Sequence, residues 1–196
     1  GFGVVKYKER DNTRVSNSEN AEVGKYFPKF KSNISVSFRN TDSTSELARN
    51  DQFYDNDSSS QTLGFKINNS FFSWMSFDYN FSLGWSKNES IYASTKSESF
   101  TNNLNLIFYP IEDHSIALNW DQINNSQAGQ SFNNGFYDLT YQFAWSKKKI
   151  DFELKWMNIA NKRVFERITD GSFTTDISRI QIRPSQVMAT VKFNFK

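Results

Sequence analysis

The sequence predicts an all-β fold, an antiparallel transmembrane β-barrel, and three observations lead there. Apolar and polar residues alternate with period two over long stretches, which places them on opposite faces of a strand. Aromatic residues make up 17% of the 196 residues, with 20 Phe, 8 Tyr and 5 Trp, yet the mean hydropathy is only −0.66. No apolar run reaches the roughly 18 residues that a membrane helix needs. Disordered chains are poor in aromatics, so disorder does not fit. A barrel reconciles low hydropathy with many aromatics, because only every second strand residue meets lipid and the connections are polar.

The elements follow in order. Residues 1–28 are poorly patterned; they are expected to hold one strand around Gly3 to Lys8 and then a polar stretch. From 29 to 196 the barrel pattern is continuous. Phe30, Ile34, Val36 and Phe38 alternate with Lys31, Asn33, Ser35, Ser37 and Arg39, and Leu63, Phe65 and Ile67 with Gly64, Lys66 and Asn68. The cleanest run is Ser73 to Lys87, where Met75, Phe77, Tyr79, Phe81, Leu83 and Trp85 oppose Ser76, Asp78, Asn80, Ser82, Gly84 and Ser86. Leu104, Leu106 and Phe108 oppose Asn103, Asn105 and Ile107; Ile116, Leu118 and Trp120 oppose Ala117, Asn119 and Asp121. Tyr137, Leu139, Tyr141, Phe143 and Trp145 then oppose Asp138, Thr140, Gln142 and Ala144. Ile150, Phe152, Leu154 and Trp156 oppose Asp151, Glu153 and Lys155. Last, Val187, Ala189, Val191, Phe193 and Phe195 oppose Met188, Thr190, Lys192 and Asn194. This amounts to about eight strands, several near the roughly 9–11 residues that cross a bilayer.

Connections are expected to alternate in length. Short turns fall at Asn69-Ser70, Pro110 to His114 and Lys147 to Lys149; long polar loops fall at Asn40 to Ser60, Lys87 to Ser99 and Gln122 to Gly135, with Thr169 to Thr175 a shorter member of that set. In outer-membrane barrels short turns face the periplasm and long loops face outward. With every short turn on one side, the last strand runs towards the periplasm. Charges such as Lys66, Asp78, Asp138 and Lys192 fall on the polar face, which fits a watery interior; lipid exposure would cost roughly 2–4 kcal/mol for each Lys or Arg at the midplane. A soluble antiparallel sandwich shares the alternation, but it would have to bury nearly all the aromatics between two sheets.

Composition excludes several chemistries. Without Cys there is no disulfide, thiolate metal site or Cys nucleophile. Charge is nearly balanced, with 23 basic and 21 acidic residues and a net +2, so nucleic acid is not an expected partner. The single histidine, His114, reads as a solvated turn residue. Asp55-Asn56-Asp57-Ser58-Ser59 starts like a calcium loop, but Ser60 stands where Gly is required and Lys66 where the bidentate Glu should be; Asp51 nearby leaves irregular calcium binding as one reading, and a polar solvated loop is the plainer one. Lys147 to Lys149 suggests contact with an anionic surface or, more plainly, a solvated turn. Asp151 and Glu153 share a strand face, as acid–base pairs do, but Lys155 beside them would neutralise them. No catalytic residue, cofactor or metal site is therefore expected, and no enzyme.

The stretch Ile180 to Phe195, with Arg183-Pro184 followed by alternating apolar residues and an aromatic ending, resembles the closing strand of TonB-dependent outer-membrane receptors of the starch-utilisation-like type. Trp156-Met157-Asn158-Ile159-Ala160-Asn161-Lys162 is similar to the Asn-Leu-Phe-Asn-Lys element that precedes that strand in these receptors, and Tyr26-Phe27-Pro28 and Tyr109-Pro110-Ile111 look like their periplasmic turns. The resemblance implies the C-terminal portion of an integral outer-membrane nutrient transporter, with a barrel of about 22 strands around a plug. It further implies recognition of the last strand by the barrel-assembly machinery, and a surface lipoprotein or other outer-membrane subunit as partner. Lys196 stands one residue beyond the aromatic that normally ends the assembly signal. The other reading is a small closed or plugless barrel with a scaffolding role in an outer-membrane complex. An unpaired sheet edge is costly in lipid, so the strands here either close on themselves or are completed by others.

Overall fold

The computed structural model describes residues 14–49, 52–127, 129–170 and 175–194. It is all-β. Among the described residues eleven strands follow one another: β1 (Arg14–Phe27), β2 (Ser32–Arg49), β3 (Gln52–Phe72), β4 (Met75–Ser90), β5 (Ser94–Phe108), β6 (His114–Gln127), β7 (Gln130–Trp145), β8 (Ile150–Met157), β9 (Val164–Asp170), β10 (Thr175–Gln181) and β11 (Gln186–Phe193). Nine form one antiparallel sheet in the order β1-β2-β3-β4-β5-β6-β7-β8-β11, while β9 and β10 form a separate two-stranded ribbon. Consecutive strands pair as hairpins, as expected where the connections are short. Among the described residues the sheet is open, with β1 and β11 as its edges.

Three of the expectations are corrected. From residue 29 on, the main sheet has the eight strands expected, but Arg14–Phe27, expected to be a polar stretch, adds a ninth by pairing along its whole length with β2. The strand expected at Gly3 to Lys8 lies outside the described residues. The polar stretches read as long loops are mostly strand. Asn40 to Arg49 pairs with Gln52 to Gln61, Lys87 to Glu89 with Ser94 to Lys96, and Gln122 to Gln127 with Gln130 to Gly135. Both faces are polar in most of these arms, so no apolar side marks the period, although the backbone ladder continues. Finally, Asn69-Ser70 is not a turn. β3 runs on to Phe72 with a register shift between Asn69 and Phe72, and Ser73-Trp74 makes the reversal.

The remaining reversals at that end share one geometry. Pro28–Phe30 and Ser146–Lys148 are single 3-10 turns, each followed by a left-handed lysine, Lys31 at φ 42° and Lys149 at φ 56°. The lysine N–H returns to the carbonyl of Pro28 or Ser146, at 3.3 Å in each case. Asp113 at φ 64° plays the same part between β5 and β6, with His114 N–H donating to Ile111 O at 3.2 Å.

The alternation seen in each strand becomes one continuous surface through the register. Val36, Phe65, Phe81 and Leu83 share a face with Leu104, Leu118, Leu139, Leu154 and Ala189 across successive strands. The opposite face carries cross-strand polar pairs. Asn68 donates to Asp78, Asn103 to Asp121 at 2.7 Å and Gln142 to Glu153 at 2.8 Å. No described residue covers either face over most of the sheet. Among the described residues Ile168, in the ribbon, is the one buried hydrophobic side chain, while Val23, Phe38, Trp85, Trp145 and Phe193 are all exposed.

Candidate functional site: an apolar band and a ribbon over the polar face

The apolar face is a band rather than a full surface. Moving away from the turns, it ends where polar residues take over: Asn40 on β2, Gln61 on β3, Lys87 on β4, Glu98 on β5 and Gln122 on β6. Aromatic residues line the border from β4 to β8, at Trp85, Phe100, Trp120, Tyr137 and Trp156. Trp120 and Tyr137 stack at 6.3 Å. At the turn end a second aromatic row comprises Phe72, Trp74, Phe108, Phe143 and Trp145. Trp74 stacks on Phe108 at 6.1 Å and Phe143 on Trp145 at 6.4 Å.

The band runs obliquely to the hydrogen-bond ladder. Trp85 stands opposite Glu98, so Phe100 lies two residues nearer the turns. Phe100 stands opposite Asn124, which puts Trp120 four residues nearer. Trp120 is level with Tyr137, and Trp156 is level with Leu139, two further down. The upper border thus descends eight residues over four strand steps. The lower border descends four, from Met75, level with Phe108 and Ile116, to Trp145, level with Ile150. The mean of six residues is about 20 Å along the strands, against about 19 Å across four steps. That is a slope of roughly 45°, close to the strand tilt of barrels.

The ribbon β9–β10 folds back over the polar face of β6 and β7. The Asn134 side chain, 1% exposed, grips the β9 backbone from both sides: its Nδ2 donates to Glu166 O at 2.8 Å and its Oδ1 accepts from Glu166 N–H at 3.1 Å. Phe136, also on the polar face, stacks on Phe165 at 6.4 Å. Two left-handed asparagines, Asn158 at φ 50° and Asn161 at φ 52°, tie the ribbon base. Asn158 donates to Lys162 O at 2.6 Å and Arg183 O at 2.9 Å, and accepts from Lys162 N–H at 2.9 Å. Its own N–H donates to Asp138 Oδ1 at 2.8 Å. Asn161 Oδ1 accepts from Ser185 N–H at 3.1 Å, and Trp156 Nε1 donates to Ser185 Oγ at 2.8 Å. Asparagine suits both roles, since it tolerates the left-handed region and its amide bonds to backbone.

The residues singled out in the sequence fall as follows. His114 begins β6 on the apolar face instead of lying in the turn; it stacks on Phe143 at 4.5 Å, with its Nδ1 2.7 Å from Tyr141 Oη. Asp55, Asn56 and Asp57 sit in extended β3, where alternation sends Asn56 to the other side. Asp57 accepts from Thr44 at 2.7 Å. Among the described residues no group of three or more His, Asp or Glu is placed to hold a metal. Asp151 and Glu153 do share the polar face of β8, but they are met by amides, Asn194 at 3.0 Å and Gln142 at 2.8 Å, rather than by Lys155. In the β4 arm beyond the band, the hydrogen bond from Lys87 holds the Glu89 carboxyl below the usual carboxylate range; both side chains are exposed. The Asn134 clamp went unforeseen, since nothing near it in sequence points to a partner 32 residues away.

No protein-family model, curated protein or solved structure matches the chain.

Proposed function

We propose that this chain forms wall strands of a bacterial outer-membrane β-barrel, as the C-terminal portion of a TonB-dependent nutrient receptor. The oblique apolar band carries this reading. A lipid slab cuts tilted strands across their ladder, so an outward face must be apolar along a slanted strip and aromatic at its borders. On β7 the two borders, Tyr137 and Trp145, are eight residues apart. That is about 27 Å along the strand, or roughly 20 Å of depth at such a tilt. Wet on both faces, this sheet has no core to hold it in water. Covered by lipid on one face, it needs only a watery interior on the other.

The receptor reading is favoured over self-closure by strand direction. Among the described residues the sheet has nine alternating strands, so β1 and β11 run the same way. Joining them directly would make a parallel seam in an antiparallel wall, whereas bacterial single-chain barrels have even strand numbers. Completion by further strands avoids this. The ribbon would then lie inside the barrel mouth, where a transporter contacts its cargo. The role is transport, with no catalytic step. The test is extraction of native outer membranes: the protein should resist alkaline washing and run at a heat-modifiable position on gels. Release as a soluble species by alkali overturns the membrane reading.

A further inference from the structure

The overall charge of +2 conceals a separation along the strands. The turn end carries Lys25, Lys29, Lys31, Lys147, Lys148 and Lys149 against three acids, Glu112, Asp113 and Asp151, the last in register with Lys192. At the far ends of β2 to β5 the balance reverses: Asp42, Glu46, Asp55, Asp57, Glu89 and Glu98 stand against Arg49, Lys87 and Lys96. We propose that the turn end binds the phosphate headgroups of anionic phospholipids through its two lysine turns. This inference rests on the membrane reading above and adds the lipid chemistry of one leaflet.

Three features of the turn end converge. All six lysines are exposed, and among the described residues none of them forms an ion pair; Lys25 lies 5.5 Å over the Phe27 ring. Both turns have the same shape and put a lysine at the left-handed position, where Gly or Asn is less strained. The second turn is also fixed to its neighbour: Ser146 Oγ donates to the Asp113 carboxylate at 3.1 Å, and Ala144 N–H to Asp113 O at 2.9 Å. The cations therefore stand on rigid reversals. Each turn also borders the lower aromatic row, with Phe30 61% exposed beside one and Trp145 42% exposed beside the other. Rings at this level occupy the boundary between acyl chains and headgroups, which puts the ammonium groups at phosphate depth. Lysine is a compact point charge suited to phosphate, and basic clusters beside a membrane span concentrate anionic lipid.

The test uses protein extracted from native membranes in non-ionic detergent, titrated with phosphatidylglycerol or phosphatidylcholine and read by native mass spectrometry. Wild type should retain phosphatidylglycerol roughly tenfold better, and K147Q/K148Q/K149Q should lose most of that preference. K87Q/K96Q, at the other end, should keep it. Heat-modifiable migration shows that each variant is folded; if the triple variant lacks it, K148Q alone replaces it and should lower the preference partway. Equal retention of the two lipids, or an unchanged preference in the folded lysine variants, overturns the inference while leaving the barrel reading intact. So does capture of an acidic soluble protein by these lysines without any lipid preference. Failure of the protein to stay with membranes at all would instead be a failure of the barrel reading.

Discussion

Asn134 and Asn158 decide whether the ribbon stays over the polar face. Asn134 satisfies both polar groups of the Glu166 peptide backbone, and replacing it by Leu leaves them unpaired in a buried place. The expected cost is about 1–3 kcal/mol, seen as faster amide exchange at Glu166 with the main sheet unchanged. Asn134→Asp keeps the acceptor but sets a buried carboxylate oxygen against Glu166 O, so at neutral pH its effect should be at least as large. Asn158→Ala removes three side-chain bonds and strains a left-handed position, whereas Asn158→Gly removes the bonds alone. Protease sensitivity between Val164 and Gln181 should therefore rise more for Ala than for Gly. The Asn158–Lys162 element was visible in the sequence as a resemblance; its physical role appears only when Arg183 and Asp138 are brought to it.

Within single strands the facing rule makes the sharpest prediction. Phe81 and Leu139 lie inside the apolar band, while their neighbours Asn80 and Thr140 point to the polar face. Arg at Phe81 or Leu139 should cost about 2–4 kcal/mol in lipid and reduce the heat-modifiable, assembled form. Arg at Asn80 or Thr140 should assemble nearly as well as the wild type. Equal losses in both pairs would refute the facing assignment. The same elements explain where sequence reading stopped. Met75 to Trp85 alternates cleanly because one side is apolar and aromatic and the other polar. Asn40 to Arg49 is equally a strand, but with polar residues on most of both sides it carries no period to read. The turn at Ser73-Trp74 was displaced to Asn69-Ser70 because two polar residues look like a reversal, whereas a register shift carries the strand on to Phe72.

For the molecule as a whole, the receptor reading predicts that the polypeptide bearing this sequence in native outer membranes has a denatured mass several-fold above 22.8 kDa. A band at 22.8 kDa would instead favour a small closed or plugless barrel. The open edges at β1 and β11 make a further demand in lipid, where unpaired N–H and C=O groups each cost several kcal/mol. The strands beside them should therefore be as protected from amide exchange as β5 in the membrane-embedded protein, and markedly less protected in this chain refolded alone in detergent.

The amino-acid sequence by itself determined that the chain is antiparallel β, which residues share a face, and that one face is apolar and aromatic, because period two is a local property of the extended backbone. It also excluded cysteine chemistry and gave no basis for a nucleic-acid partner. Only the tertiary structure decided what depends on pairing between distant residues. The slant of the apolar band is set by register across five strands. The clustering of lysines at one end follows from strand direction, and the clamp of Asn134 on Glu166 joins residues 32 apart. Register and direction are settled by hydrogen bonds between strands, which no single stretch of sequence contains.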